Sequence, residues 1–326
     1  MGPVRIVIVL AVALAACATV PRPAGAPWQA ALGRDHPLTG RIWDTAAERF
    51  IDEPALISRL VASRFVLLGE KHDHADHHEL QARLLRALVS VGRRPAVAFE
   101  MLTPDQAPAL ARYLAATPRD AAGLGDAVGW TDAGWPAWSM YEPIAQAALD
   151  AGLPIVAANV PAAMARALMT GAAGAPPALA ARFGLDRALA PEVEAAMAVE
   201  MREAHCGHAD ARMAASMIMA QRVRDAAMAA ALLDAGGDGA VLIAGLGHVR
   251  TDRGVPAYLR LAQPAAAIAS VAFLEVRADA PAPGDYAAGF GTARLPLDFT
   301  WFTPRVDDVD PCDAFRRDLE RLRDRR

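Results

Sequence analysis

Four short apolar runs constrain the fold of this chain, because each stops abruptly at a polar residue. Phe65-Val66-Leu67-Leu68 ends at Gly69-Glu70, and Ala96-Val97-Ala98-Phe99 ends at Glu100. Pro154-Ile155-Val156-Ala157-Ala158 ends at Asn159, and Val241-Leu242-Ile243-Ala244 ends at Gly245-Leu246-Gly247-His248. Each run is too short for a helix and lacks the polar alternation of a half-wet strand. Each therefore reads as a parallel strand covered on both faces. Helix-like stretches follow at residues 77–91, 104–115, 161–169 and 255–262, three with proline near the first turn. The pattern predicts an α/β fold, with a mostly parallel central sheet covered by helices on both faces. Glu70, Glu100, Asn159 and His248 then leave the sheet at one edge, where such sheets bind ligands. One such residue alone would serve as a cap or a satisfied core group. Four in phase predict a pocket.

The first run leads into Glu70-Lys71-His72-Asp73-His74, followed by His77-His78, which holds four of the eight histidines and the sole lysine. The other cationic side chains outside histidine are all arginine, so composition does not account for Lys71. A solvated charge run fits poorly directly behind a buried strand, which favours a functional role.

Between the third and fourth runs, residues 178–235 read as helical, within an insertion spanning about residues 170–235. Its apolar positions are largely Ala and Met: Met197, Met201, Met213, Met217, Met219 and Met228. Such positions are first of all a tight helical core, which predicts a smaller helical subdomain. His205-Cys206-Gly207-His208 interrupts the segment. With one cysteine and no second pair nearby it matches no standard zinc spacing, so a turn with one ligand-facing histidine is expected.

Residues 41–51 suggest a hairpin, and residues 268–276 and 298–302 suggest further strands. Residues 284–291 read as a loop carrying Tyr286, and residues 313–326 as a charged, solvated helix. The net charge of −4 contains no long block of either sign, which argues against nucleic acid as a partner. Cys206 and Cys312 could pair in an oxidising compartment, but the sequence leaves their separation open.

At the N-terminus, Arg5 precedes an apolar stretch over residues 6–16 that is too short to span a bilayer and has the shape of a signal peptide. It ends Leu14-Ala15-Ala16-Cys17, which resembles a bacterial lipobox. By that resemblance residues 1–16 are removed and Cys17 is lipidated. Ala18, in place of Asp, favours the outer membrane. Residues 17–38 are then the lipidated end and a tether, with Pro21, Pro23, Gly25 and Pro27 extending it. Residues 39–302 form the ligand domain and residues 303–326 a charged tail.

Taken in order, the motifs resemble those of the ChaN family of haem-binding lipoproteins, in the haem-uptake and Tiki-like superfamily. They are Gly69-Glu70-Lys71-His72-Asp73 with His77-His78 and Gln81, Phe99-Glu100-Met101-Leu102, Tyr141-Glu142-Pro143-Ile144, Ala158-Asn159-Val160-Pro161 and His205-Cys206-Gly207. Gln221, Arg224-Asp225, residues 245–250 and residues 254–259 complete the set, so the likeness covers about residues 39–276. The resemblance implies a haem-binding protein of haem or iron uptake, with an outer-membrane haem receptor as a possible partner. It implies a haem-mediated homodimer in which a tyrosinate holds the iron while lysine and histidine groups reach the propionates. A phenolate is a recognised haem ligand. Tyr141 and Tyr258 lie in matching motifs and are the candidates for iron, whereas Tyr113 and Tyr286 do not. Lys71 is the expected propionate partner, and His72, His74 and His205 are the next iron candidates.

The same superfamily also suggests a metal-dependent hydrolase of the Tiki or erythromycin-esterase-like type. Gly69-Glu70-Lys71-His72 and Gly245-Leu246-Gly247-His248 are two Gly-x-x-His motifs. His72 and His248 would hold the metal, and Glu70 or Glu100 would polarise water. Lys71 would compete with a cation there, which favours binding over catalysis. A silent pocket of mutually bonded polar groups is a third reading.

Overall fold

The computed structural model describes residues 28–117, 119–310, 312, 313, 315–317 and 320. The expected signal segment, Cys17 and residues 19–27 of the tether lie outside the described residues. The chain enters its sheet through the expected hairpin, β1 (Ile42–Asp44) and β2 (Arg49–Ile51). The four apolar runs follow as β3 (Phe65–Glu70), β4 (Ala96–Phe99), β5 (Ile155–Ala157) and β6 (Ala240–Gly245). β7 (Ile268–Glu275) and β8 (Phe299–Thr303) complete an eight-stranded sheet in the order β2-β1-β8-β7-β3-β6-β4-β5. β1 runs antiparallel to both its neighbours, and every other pairing is parallel.

Both faces of the sheet are dry, which is why the strands show no polar alternation. Val66 and Leu68 join one buried cluster with Leu56, Leu84 and Tyr141, whereas Phe65 and Leu67 join another with Val223, Leu232 and Leu259. The first face is covered by α1 (Glu53–Val61), α2 (Ala75–Ser90), α3 (Ala107–Ala116), α4 (Leu124–Ala127) and α5 (Trp138–Asp150). The second is covered by α6 (Ala162–Met169), α7 (Pro177–Phe183), α9 (Ala211–Asp234) and α10 (Val255–Ala262), with α8 (Pro191–Ala204) packed on α9. Side-chain caps start two of these helices. Asp52 accepts from the Ala55 amide at 2.9 Å, and Asp210 accepts from the Met213 amide at 2.8 Å.

The connection leaving β3 through α2 crosses the first face, and that leaving β6 through α10 crosses the second. Since β3 and β6 are neighbours, a crevice opens beyond their carboxyl ends, at the switch point of the sheet. Gly69 allows its floor to form, because a Cβ there would lie 2.2 Å from Val249 Cγ2 in the turn Leu246–Val249.

Both ends of the described chain are more firmly placed than the sequence suggests. The Gln29 and Ala30 amides donate to the Asp76 carboxylate at 2.9 Å, Leu32 bridges to Arg305, and Leu38 is buried. Residues 29–38 are thus packed on the domain and are not tether. At the other end Thr303 closes β8, and a disulfide joins Cys312 to Cys206 in the α8–α9 turn, with 5.5 Å between their Cα atoms. Arg305, Val306 and Cys312, within the expected charged tail, are therefore attached to the domain. Among the described residues, no helix is long and apolar enough to cross a membrane.

Candidate functional site

Glu70, the last residue of β3, is buried, and its Oε1 accepts from the Tyr141 hydroxyl at 2.8 Å and lies 2.9 Å from His72 Nδ1. His78 Nε2 stands 3.2 Å from the other oxygen, outside hydrogen-bond geometry. Burial opposes ionisation of Glu70, but His78 and His72 outweigh it and hold the carboxyl below its ordinary range. The same pairing acts on His72. Burial disfavours its cation, yet the Glu70 hydrogen bond and the Glu100 charge prevail and raise its pKa.

Glu100 follows β4 directly and is also buried. Its Oε2 accepts from the Gly245 amide at 2.6 Å, and its Oε1 accepts from Arg224 and lies 3.3 Å from His248 Nε2. Burial opposes this carboxylate too, but His248 and Arg224 hold it well below the ordinary range. His248 Nδ1 lies 2.6 Å from Asp225. Burial would lower the pKa of His248, but Glu100 and Asp225 raise it to about 9, so the ring is an imidazolium at neutral pH. Asn159 stands one layer back, donating to the Glu100 carbonyl at 2.9 Å and accepting from Arg224 Nε at 3.2 Å.

Glu70, His72, Glu100, Arg224, Asp225 and His248 border a cleft of about 360 Å³. The sheet edge supplies Glu70, His72, Glu100 and the segment from Gly245 to His248; α8 supplies Met197, Glu200 and Met201; α9 supplies Gln221, Arg224 and Asp225. Arg253 closes one side, paired with Glu200. Gly245 leaves room for the imidazole, because a Cβ there would lie 2.8 Å from His72 Nε2.

The other residues singled out from the sequence lie elsewhere or are already engaged. Lys71 borders the cleft, but its Nζ lies 3.5 Å from both Asp73 and Glu275 and 3.8 Å from Asp307. Three carboxylates thus occupy the ammonium expected to meet a propionate. His74 is buried behind the edge, stacked on His77 at 3.8 Å and 2.9 Å from the Pro304 carbonyl. His205 ends α8, with Nδ1 2.8 Å from the Met201 carbonyl, and does not line the cleft.

Neither of the two tyrosines proposed for iron lines this cleft. Tyr141 is wholly buried and its hydroxyl is spent on Glu70; burial and the adjacent carboxylates strongly oppose its ionisation. Tyr258 is absent from the cleft wall, with its half-buried ring against Phe183 at 5.8 Å, and burial raises its pKa.

Sequence reasoning read Met197 and Met201 as helical core and assigned no role to Glu200 or Arg253. It noted Gln221, Arg224 and Asp225 without a function. The spacing of that trio, three and four residues apart on one helix, places them on one face and was the available signal.

A two-imidazole metal centre also fits poorly. Both nitrogens of His248 face carboxylates, the Arg224 guanidinium sits on Glu100, and no three donors among the described residues are grouped to hold a metal ion.

A family model described as haem-binding uptake, Tiki superfamily, ChaN matches residues 56–259. A solved structure, described as cofacial heme binding to ChaN of Campylobacter jejuni, aligns with a TM-score of 0.63 at 20% identity. The alignment covers 80% of this chain and 95% of that one. No curated protein matches the chain. The family match spans well over half of the sequence, and the chain belongs to the ChaN family of the Tiki superfamily.

Proposed function

We propose that the switch-point cleft binds haem and that the chain is a lipoprotein serving haem or iron uptake. The supporting observation is the combination of groups on one cleft wall. Met197, Met201 and Leu246 offer apolar, adaptable surface for a porphyrin face. Arg224 and Arg253 carry more N–H groups than their carboxylate partners use, which suits the propionates of the ligand. The family match supports haem as the ligand, and the cofacial binding described for the Campylobacter protein supports two copies meeting around stacked haems. Titration with ferric haem, followed by sedimentation, tests this. A saturable Soret band accompanied by a dimer is expected, and an unaltered free-haem spectrum overturns the reading.

The lipobox-like Leu14-Ala15-Ala16-Cys17 supports anchoring through Cys17 at the outer membrane, on its periplasmic face or at the cell surface, within reach of a haem receptor. A single acyl chain holds only marginally, so the multiply acylated end of a lipoprotein is required. Cys17→Ser should move the protein from the membrane fraction to the soluble one. Retention in the membrane fraction would contradict the anchor.

A further inference from the structure

Resting on the lipid-anchor reading, we infer that the carboxyl edge of the sheet is the side of the domain turned toward the bilayer, and that the short link from Cys17 sets this orientation. The first described residues are fixed at that edge. The Gln29 and Ala30 amides donate to Asp76, in the first turn of α2, at 2.9 Å, and Leu32 bridges to Arg305 just past β8. Arg34 clasps the entering chain, donating to the carbonyls of Ala30 at 2.7 Å, Trp28 at 2.6 Å and Gln29 at 3.1 Å. Trp28 itself packs against the buried cluster of the first face. Asp76 lies only five residues beyond Lys71, which lines the cleft. The chain therefore enters the domain beside the cleft wall.

The length of the link decides which side can face the anchor. Ten residues, 18–27, separate Cys17 from Trp28. At full extension that link reaches about 40 Å. A compact domain of this size has a radius of gyration of about 19 Å, so its diameter is about 50 Å and the path over its surface from one pole to the other is about 75 Å. The link is too short to pass round the domain. The amino edge of the sheet, where Arg64 precedes β3 and Asp238 precedes β6, is thus held away from the bilayer.

The partner this face fits is the phospholipid surface. Trp28 and Trp135 are half-buried indoles at the carboxyl edge, the second with its ring 5.0 Å from that of His72, and Val309 is 47% exposed. Indoles sit favourably at the headgroup layer, where one side of the ring is apolar and the other wet. Asp73 and Asp307 are exposed on the same side, within 3.5 Å and 3.8 Å of Lys71. Both signs of charge are interspersed there, so adsorption to anionic lipid is weak without the anchor. The acylated Cys17 supplies the attachment, and the link supplies the direction.

Photocrosslinking of the full-length lipidated protein, in vesicles of phosphatidylethanolamine and phosphatidylglycerol, tests the orientation. A benzophenone amino acid replaces one exposed residue at a time, Val309 or Ala133 at the carboxyl edge and Val91 or Ala62 at the amino edge. Flotation of the vesicles first establishes attachment. Cross-links to phospholipid, read by mass spectrometry, should be several-fold more abundant from Val309 and Ala133 than from Val91 and Ala62. Inserting about thirty Gly and Ser residues between Ala26 and Pro27 should leave flotation intact and abolish the difference, because the longer link reaches round the domain. Equal yields from the two edges, an excess from the amino edge, or a difference that survives the insertion overturns the orientation alone. A wild type that does not float overturns the anchor reading along with it.

Discussion

Glu100 and His248 face each other across 3.3 Å in the wall of the cleft, both buried, one just past β4 and the other just past β6. Asp225 sits behind the imidazole and Arg224 beside the carboxylate, so two cations and two anions alternate in a line. Removing a member leaves a buried charge without its partner, which is costlier than the pair is stabilising.

This arrangement sets a pH window for stability. The folded pKa of His248, about 9, lies above its ordinary 6.5, so its contribution is full below pH 6.5 and is lost as pH rises toward 9. Glu100 is depressed below its ordinary 4.5, so its contribution is present above pH 4.5 and is lost as pH falls through the folded value. Both are full between 4.5 and 6.5. Urea unfolding across pH should show this plateau. His248→Gln should cost about 3–5 kcal/mol on the plateau and flatten the alkaline limb. An alkaline limb of unchanged depth in that variant would assign it to another group.

Lys71 and Arg253 should behave oppositely toward haem. Lys71 is surrounded by three carboxylates, so Lys71→Ala should change affinity within about threefold. Among the described residues Arg253 has one carboxylate partner, and it lines the cleft. A charge-assisted contact contributes about 1.5–3 kcal/mol, so Arg253→Ala should weaken haem roughly 10–100-fold. Titrations at two salt concentrations check this. The reverse ranking would return Lys71 to the propionates.

The Cys206–Cys312 bond closes a loop across 106 residues and ties the end of β8 to the turn after α8. Chain entropy and native-state strain together give such a bond about 2–4 kcal/mol. Cys312→Ser should lower the free energy of unfolding, read from urea denaturation, by that amount. Because α8 carries Met197, Glu200 and Met201 into the cleft, haem affinity should fall as well. Unchanged affinity would show that α8 is held by α9 alone.

The sheet and its active edge were legible because buried parallel strands announce themselves as unbroken apolar runs, and the residue after each run marks the edge. Glu70, Glu100 and His248 could be placed in that way. What the sequence hid was partnership across long separations. Lys71 looked like a free cation because Glu275 and Asp307, more than 200 residues later, are invisible as neighbours. Tyr141 matched a family motif, yet nothing local shows that its hydroxyl is used by Glu70. Met197 and Met201 share the spacing of core methionines, and only the path of α8 over the cleft distinguishes them.

Gly247 lines the cleft, and a Cβ there would have only Gln221 Nε2 nearby, at 3.8 Å. Gly247→Trp should therefore fill the cleft without disturbing the sheet. Haem titration of this variant beside the wild type tests directly whether the cleft is the haem site. The wild type is expected to develop a saturable Soret band, and Gly247→Trp, with an unchanged unfolding midpoint, is expected to develop none. Equal haem binding by the two proteins would contradict the placement of haem in this cleft.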